Sequence, residues 1–199
     1  AVVLVGDDPA SQIYVAKKRQ SCERVGIKSI LTGQKVKNQH DLECLLQELS
    51  DNEVDGILMQ LPLPQHLGNP VNYFNLINKF KDVDVFHPEN VGLLVQGRPR
   101  FLPCTPHGIQ VMLNRSGLSV KGKHVVVISR SNIIGKPLSS MLIQDNDEYA
   151  NATVTVCHDN TPPEQLKKMT LQADIIVVAV GIPNFLKVDM VKPNAIVID

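Results

Sequence analysis

The 199-residue sequence predicts an α/β protein of two domains, a βα domain followed by a domain with a parallel sheet, on three observations. Short apolar runs alternate with stretches of helical periodicity along the chain. The later runs, Val125-Val126-Val127-Ile128, Ile175-Ile176-Val177-Val178 and Ala195-Ile196-Val197-Ile198, are uninterrupted, as strands covered on both faces are. The alternation also restarts after a loop-rich stretch over 81–103, which divides the chain into residues 1–107 and residues 108–199.

The first domain reads as strand, helix, strand, helix, strand. Residues 2–5 form a strand, and a helix follows from about 9 to 25, with Gly26 placed to end it. A second strand is expected over 27–31. Asn38 caps a helix whose Leu42, Leu45, Leu46 and Leu49 repeat at i, i+3, i+4 and i+7. Residues 56–60 form a third strand, stopped by Pro62 and Pro64. Asn69-Pro70 pairs a capping residue with proline at the first helical position, opening a helix to about Phe80. Residues 81–103 then read as loop, holding Asp82, Asp84, His87, Gly92, Gly97 and Pro99; a loop of this length in a compact domain is usually functional. Thr105-Pro106 opens a helix that ends near Gly117.

The second domain repeats the order. A strand over 125–128 leads through a Ser-rich turn into a helix from about Ile134, and a strand follows over 152–156. Thr161-Pro162-Pro163-Glu164 has capping-box spacing for the next helix. Strands over 175–178 and 195–198 complete a Rossmann-like pattern: a parallel sheet with helices on both faces.

Composition narrows the function. Twenty basic residues balance twenty acidic ones, leaving no basic field for nucleic acid or a membrane surface. Trp is absent and aromatics make up 4%, too few for a base-stacking platform. No apolar run is long enough to span a bilayer, and residues 1–6 read as a buried strand rather than a signal peptide. Cys22, Cys44, Cys104 and Cys157 are scattered without a CxxC, a pattern of reduced cytosolic thiols rather than of disulfides or zinc ligands. The missing initial Met and the abrupt end at Ile198-Asp199 read as a fragment of a longer chain.

Candidate sites follow from position. The turn from Ser129 to Pro137, containing Arg130, Ser131 and Gly135, lies between a strand and a helix, where a dinucleotide's phosphates meet helix N-terminal amides. It lacks the GxGxxG fingerprint, so a plain polar loop is the alternative. Asp159, just past the next strand, has the position of a ribose-binding carboxylate, or of a turn residue leading to Thr161. Tyr14 and Lys18 share a helix face. A lysine in a closed, apolar pocket can move protons near neutrality, whereas beside Lys17 and Arg19 a surface lysine is the plainer reading. His87 and His158 read first as loop hydrogen-bonders, and Asp82 and Asp84 as a solvated turn.

Taken together, these segments resemble the bifunctional methylenetetrahydrofolate dehydrogenase/cyclohydrolase family. The resemblance begins at Ser11-Gln12-Ile13-Tyr14-Val15-Ala16-Lys17-Lys18 and continues through Asp55-Gly56-Ile57-Leu58-Met59-Gln60-Leu61-Pro62-Leu63-Pro64 and Lys81-Asp82-Val83-Asp84. It extends through Pro103-Cys104-Thr105-Pro106-His107-Gly108 to the Arg130-Ser131 turn and Val178-Ala179-Val180-Gly181. It implies oxidation of 5,10-methylenetetrahydrofolate with a nicotinamide dinucleotide and hydrolysis of the methenyl product. By the same resemblance Lys18 is the central catalytic residue, Tyr14 stacks on the aminobenzoate part of the folate, Gln60 hydrogen-bonds Lys18, and Asp84 grips the pterin ring. Arg130, Ser131 and Gly135 hold the dinucleotide, and Gly181 lets the backbone approach the nicotinamide. It further implies a cytosolic homodimer that acts on tetrahydrofolate derivatives, with no metal.

Three departures from the family pattern carry expectations. Val85 stands where the family has glycine after Asp84, and a β-branched residue disfavours positive φ, which predicts a reshaped loop. Ser129 replaces the glycine before Arg130-Ser131, which predicts an altered pyrophosphate approach. Asp159 replaces a serine of NADP-using members and points to NAD, whereas Arg130 can pair with a 2′-phosphate and points to NADP. Family habit favours NADP, with NAD open because of Asp159. The rival readings are a dehydrogenase without cyclohydrolase activity, a non-catalytic folate- or nucleotide-binding paralogue, and a different Rossmann dehydrogenase such as one acting on shikimate.

Overall fold

A computed structural model describes residues 1–145 and 149–199. The chain divides into two compact units, Ala1–Asn90 and Val91–Asp199.

The first unit is built on a three-stranded parallel sheet of β1 (Val2–Val3), β2 (Leu31–Thr32) and β3 (Leu58–Met59), in the order β2-β1-β3. Side chains alternate across β1. Val3, with Val5, faces Leu42 and Leu46 of helix α2 (Gln39–Asp51); Val2, with Leu4, faces Val15 of helix α1 (Pro9–Arg24). One helix on each face explains why this run carries no polar residue.

Local chemistry sets the helix ends. The Asp8 carboxylate accepts the Ser11 N–H (2.8 Å) at the start of α1. At its end the Gly26 N–H donates to Glu23 and the Ile27 N–H to Cys22, the paired bonds of a Schellman motif. They need the positive φ (77°) that Gly26 adopts. Asn38 Oδ1 caps α2 by accepting the Asp41 N–H (3.0 Å). The second strand lies at 31–32, later than expected.

The helix expected from Asn69 to about Phe80 is instead a 3-10 segment, Pro70–Leu76, opened by Asn69 Oδ1 accepting from the Val71 N–H (3.1 Å). Ser50 of α2 ends it early. Its hydroxyl donates to the Leu76 carbonyl (2.8 Å) and accepts the Asn78 N–H (2.9 Å), so both groups are engaged outside a helical ladder. Tyr73, Phe74 and Ile77 pack on Leu42 and Leu46. Phe74 stacks on Phe86 with ring centroids 4.7 Å apart.

The stretch expected to be all loop contains helix α3 (Pro88–Val95). Pro88 and Gly92 read as breakers in sequence, yet proline is well suited to a first helical position. His87 Nδ1 accepts the Glu89 N–H (3.1 Å) at that start.

The second unit contains helix α4 (Cys104–Arg115) and a four-stranded parallel sheet of β4 (His124–Ile128), β5 (Thr153–Cys157), β6 (Ile175–Val178) and β7 (Ile196–Ile198). Their order is β5-β4-β6-β7. Val125, Val127, Ile175 and Val177 face Leu113 of α4 and Leu138 and Leu142 of helix α5 (Gly135–Leu142). Val126, Ile128, Ile176 and Val178 face Leu166 of helix α6 (Pro163–Gln172). Burial of each such side chain contributes roughly 1.5–3 kcal/mol, which is why these strands are continuously apolar.

The capping box expected at Thr161 does not form. The Thr161 hydroxyl accepts the His158 N–H (2.9 Å), and α6 starts at Pro163 without a side-chain cap. The helix begins two residues beyond Thr161, with Pro162 at its cap position, and the Thr161 hydroxyl serves the preceding turn.

Candidate active and dinucleotide sites

In the first unit, Tyr14 and Lys18 lie one turn apart on α1. Tyr14 is 60% exposed and Lys18 half-buried. Gln60 follows β3, its backbone N–H bonded to the Val3 carbonyl (2.9 Å), so the sheet fixes where its side chain begins. Lys18 Nζ donates to Gln60 Oε1 (3.1 Å), while Gln60 Nε2 donates to the Leu61 carbonyl (2.8 Å). The second bond orients the amide, leaving its oxygen for the lysine. Sequence proximity gives no hint of this pair, which is 42 residues apart in the chain.

Asp82 corrects the expectation of a solvated turn. It is 1% exposed, and its carboxylate accepts the Phe86 N–H (3.0 Å), the His87 N–H (2.8 Å) and Asn90 Nδ2–H (2.8 Å). Asp82 also pairs with Ile57 beside β3. It therefore frames the loop that carries the half-buried Asp84. Sequence reasoning missed this role, because two of the donors are ordinary backbone groups and the third, Asn90, lies eight residues on. Val85 overturns a second expectation. It adopts φ 62° with its side chain 3% exposed, so the loop takes the left-handed turn despite the β-branch. Burial of the isopropyl group offsets the steric cost.

In the second unit, Ile128 is in register with Cys157 on one side and Val178 on the other. The chain therefore leaves three adjacent strands at one carboxyl edge, carrying Arg130, Asp159 and Gly181. An order in which the first strand lies between the second and third places a switch point at this edge, where ligands of open α/β sheets bind.

The turn after β4 is tightly built. Gly135 is buried, and a Cβ there would overlap the Ser129 carbonyl oxygen, so only glycine lets α5 approach β4 this closely. The Ser131 hydroxyl accepts the Ile134 N–H (3.0 Å) and the Gly135 N–H (3.3 Å), capping the entry to α5. Ser129, the departure from the family's glycine, is 6% exposed, and its hydroxyl accepts the Ser131 N–H (3.3 Å). It is drawn into the turn. Gly181 has φ 64°, and the position of its absent Cβ is open space.

Arg130 and Asp159 are brought together, with Arg130 Nη2 2.6 Å from Asp159 Oδ1. The Arg130 hydrogen bond is the main cause holding the Asp159 carboxyl below the usual carboxylate range. His158 Nδ1 lies 3.8 Å from the same oxygen but accepts the Asn160 N–H (3.2 Å), so it acts as a loop hydrogen-bonder. Among the described residues no helix is long and apolar enough to cross a membrane, and no group of three or more His, Cys, Asp or Glu is placed to hold a metal ion.

Comparison with known proteins identifies the family. Residues 1–84 match the model of the tetrahydrofolate dehydrogenase/cyclohydrolase catalytic domain, and residues 103–199 match that of the same family's NAD(P)-binding domain. The bifunctional protein FolD of Maridesulfovibrio salexigens is 50% identical over all of this chain and 69% of its own length. The chain belongs to the tetrahydrofolate dehydrogenase/cyclohydrolase family.

Solved members of that family share its fold. The bifunctional FolD enzyme of Campylobacter jejuni superposes with a TM-score of 0.89 at 45% identity, covering 98% of this chain and 68% of that one. The Trypanosoma brucei methylenetetrahydrofolate dehydrogenase-cyclohydrolase, solved with NADP and an inhibitor, gives 0.88 at 32% identity, covering 98% of this chain and 65% of that one. Membership sets aside the reading as an unrelated Rossmann dehydrogenase. The boundary between the two compact units, at Asn90 and Val91, falls between the two matched segments.

Proposed function

We propose that Lys18, held by Gln60, carries the proton chemistry of an enzyme that oxidises 5,10-methylenetetrahydrofolate to the 5,10-methenyl form with NADP and hydrolyses that product to 10-formyltetrahydrofolate. The bifunctional reaction in one-carbon metabolism is the activity of the family, whose second domain binds NAD(P), and its Trypanosoma brucei member was solved with NADP; Asp159 keeps NAD open here. The observation that carries the assignment of roles is the Lys18–Gln60 hydrogen bond with its locked amide.

The residues at the second unit's carboxyl edge fit a dinucleotide. Gly135 and Ser131 bring the entry of α5 against β4, Arg130 offers an exposed guanidinium, and Gly181 leaves open space beside the backbone. When bound, the nicotinamide supplies the hydride acceptor. In this reading Tyr14 packs against the aminobenzoate group, and Asp84 accepts paired N–H bonds from the pterin. Both orient the one-carbon bridge. Lys18 takes and returns the proton that must move when water adds to the methenyl carbon and the ring opens. Gln60 keeps the lysine nitrogen aimed at that point.

In this reading the first unit, Ala1–Asn90, serves as the folate-binding part and the second, Val91–Asp199, as the dinucleotide-binding part; the division expected between 107 and 108 falls inside α4. The same reading has the protein working as a cytosolic homodimer, which sedimentation of the purified protein tests. For the activities, methylenetetrahydrofolate and NADP are supplied, and reduced nicotinamide, methenyl and 10-formyl products are followed together. The expected result is formyl product above the spontaneous rate, abolished in Lys18→Met. A variant that hydrolyses the methenyl compound at the parent rate removes Lys18 from the proton step. A folded protein that binds folate without turnover is a non-catalytic paralogue.

A further inference from the structure

We propose that Asp159 sets the dinucleotide preference of this enzyme by occupying the Arg130 guanidinium, so that a 2′-phosphate binds there only by displacing an internal carboxylate. The inference rests on the dinucleotide reading above and concerns the same edge.

Arg130 and Asp159 lie two residues beyond Ile128 and Cys157, which are in register on neighbouring strands. The 2.6 Å contact is a charge-assisted hydrogen bond, and both side chains are open to a ligand, at 49% and 69% exposure. The neighbouring cation in the turn, Lys136, donates its Nζ to Asn132 Oδ1 (2.7 Å). His158 is turned to the Asn160 N–H and supplies no proton to Asp159.

The consequences differ for the two dinucleotides. A carboxylate after the second strand accepts hydrogen bonds from free ribose hydroxyls. A 2′-phosphate instead meets a guanidinium already neutralised and a like charge beside it. The pair is exposed and therefore weak, so the phosphate can still displace Asp159. The enzyme accordingly keeps NADP while discriminating poorly against NAD.

The test uses titration calorimetry on the purified protein with adenosine 2′,5′-bisphosphate and 5′-AMP as probes. They differ at the 2′ position and need no catalytic turnover. Asp159→Asn keeps the shape and removes the charge. It is expected to tighten the bisphosphate on the order of tenfold while moving AMP by less than about threefold. The gain shrinks as salt is raised, because exposed charges are screened. In an Arg130→Gln background most of the gain disappears, since the carboxylate acts chiefly through that guanidinium and only the direct repulsion remains. Unchanged bisphosphate affinity, equal tightening of both probes, or a gain undiminished in Arg130→Gln overturns the inference and leaves the dinucleotide site standing. Failure of both probes to bind any folded variant overturns the dinucleotide site and this inference with it.

Discussion

Lys18 Nζ lies 3.1 Å from Gln60 Oε1, joining the first helix to the end of the third strand. The glutamine is held in turn by the Leu61 carbonyl, so it acts on the reaction through the lysine. Gln60→Leu is expected to lower cyclohydrolase kcat by about a hundredfold, within the range of a lost acid–base contribution. The pH–rate profile should shift, and the dehydrogenase should fall less. Parallel product assays over a pH series provide the check. An unshifted profile with equal loss of both activities would mean that Gln60 only supports the fold.

Asp82 gathers three N–H donors into one buried carboxylate. Asp82→Ala leaves those donors unsatisfied in the interior, a loss of about 3 kcal/mol. Urea unfolding should show a lower midpoint with the slope preserved. A stability equal to that of the parent would show that water replaces the carboxylate without cost.

Val85 poses a contest that magnitudes decide. Its left-handed φ costs about 1–2 kcal/mol, which glycine would relieve. Glycine would also forfeit roughly 1.5–3 kcal/mol of side-chain burial and about 0.5–1 kcal/mol of backbone entropy. Val85→Gly is therefore expected to destabilise by about 1 kcal/mol, measured by the same unfolding experiment. A more stable variant would mean that strain outweighs packing at this turn.

Gly135 faces the Ser129 carbonyl without room for a Cβ. Gly135→Ala must push α5 away from β4, at about 2 kcal/mol for overpacking against backbone. It should weaken NADP more than folate, because the displaced turn carries Arg130 and Ser131. Binding titrations with each ligand distinguish this outcome from general loosening, in which both affinities fall together.

Much of the fold was legible because its causes are local. The Schellman end of α1 at Gly26 and the Asn38 cap of α2 each depend on residues within a few positions. The continuous strands of the second unit depend on burial that their own composition announces. Early termination of the segment after Pro70 was not legible, because it depends on Ser50, 26 and 28 residues from its two partners. The capping box at Thr161 misled for a different reason: its hydroxyl bonds an equally local donor on the other side, the His158 N–H.

The site divides the same way. Family blocks in the sequence named Tyr14, Lys18, Gln60, Asp84 and the Arg130-Ser131 turn as candidates. Residue identity alone was enough to pose the conflict between Arg130 and Asp159, since a guanidinium and a carboxylate favour opposite 2′ groups. The alternation of strands and helices, the local caps and the chemical inventory of the two sites could be read from the residues alone. That Asp82 is a scaffold, that Lys18 is held by Gln60 and that Arg130 is already paired with Asp159 emerged with the folded chain. Local order follows from backbone preference and periodicity within a few residues, whereas these pairings depend on strand register and helix placement, which bring distant side chains within hydrogen-bonding reach.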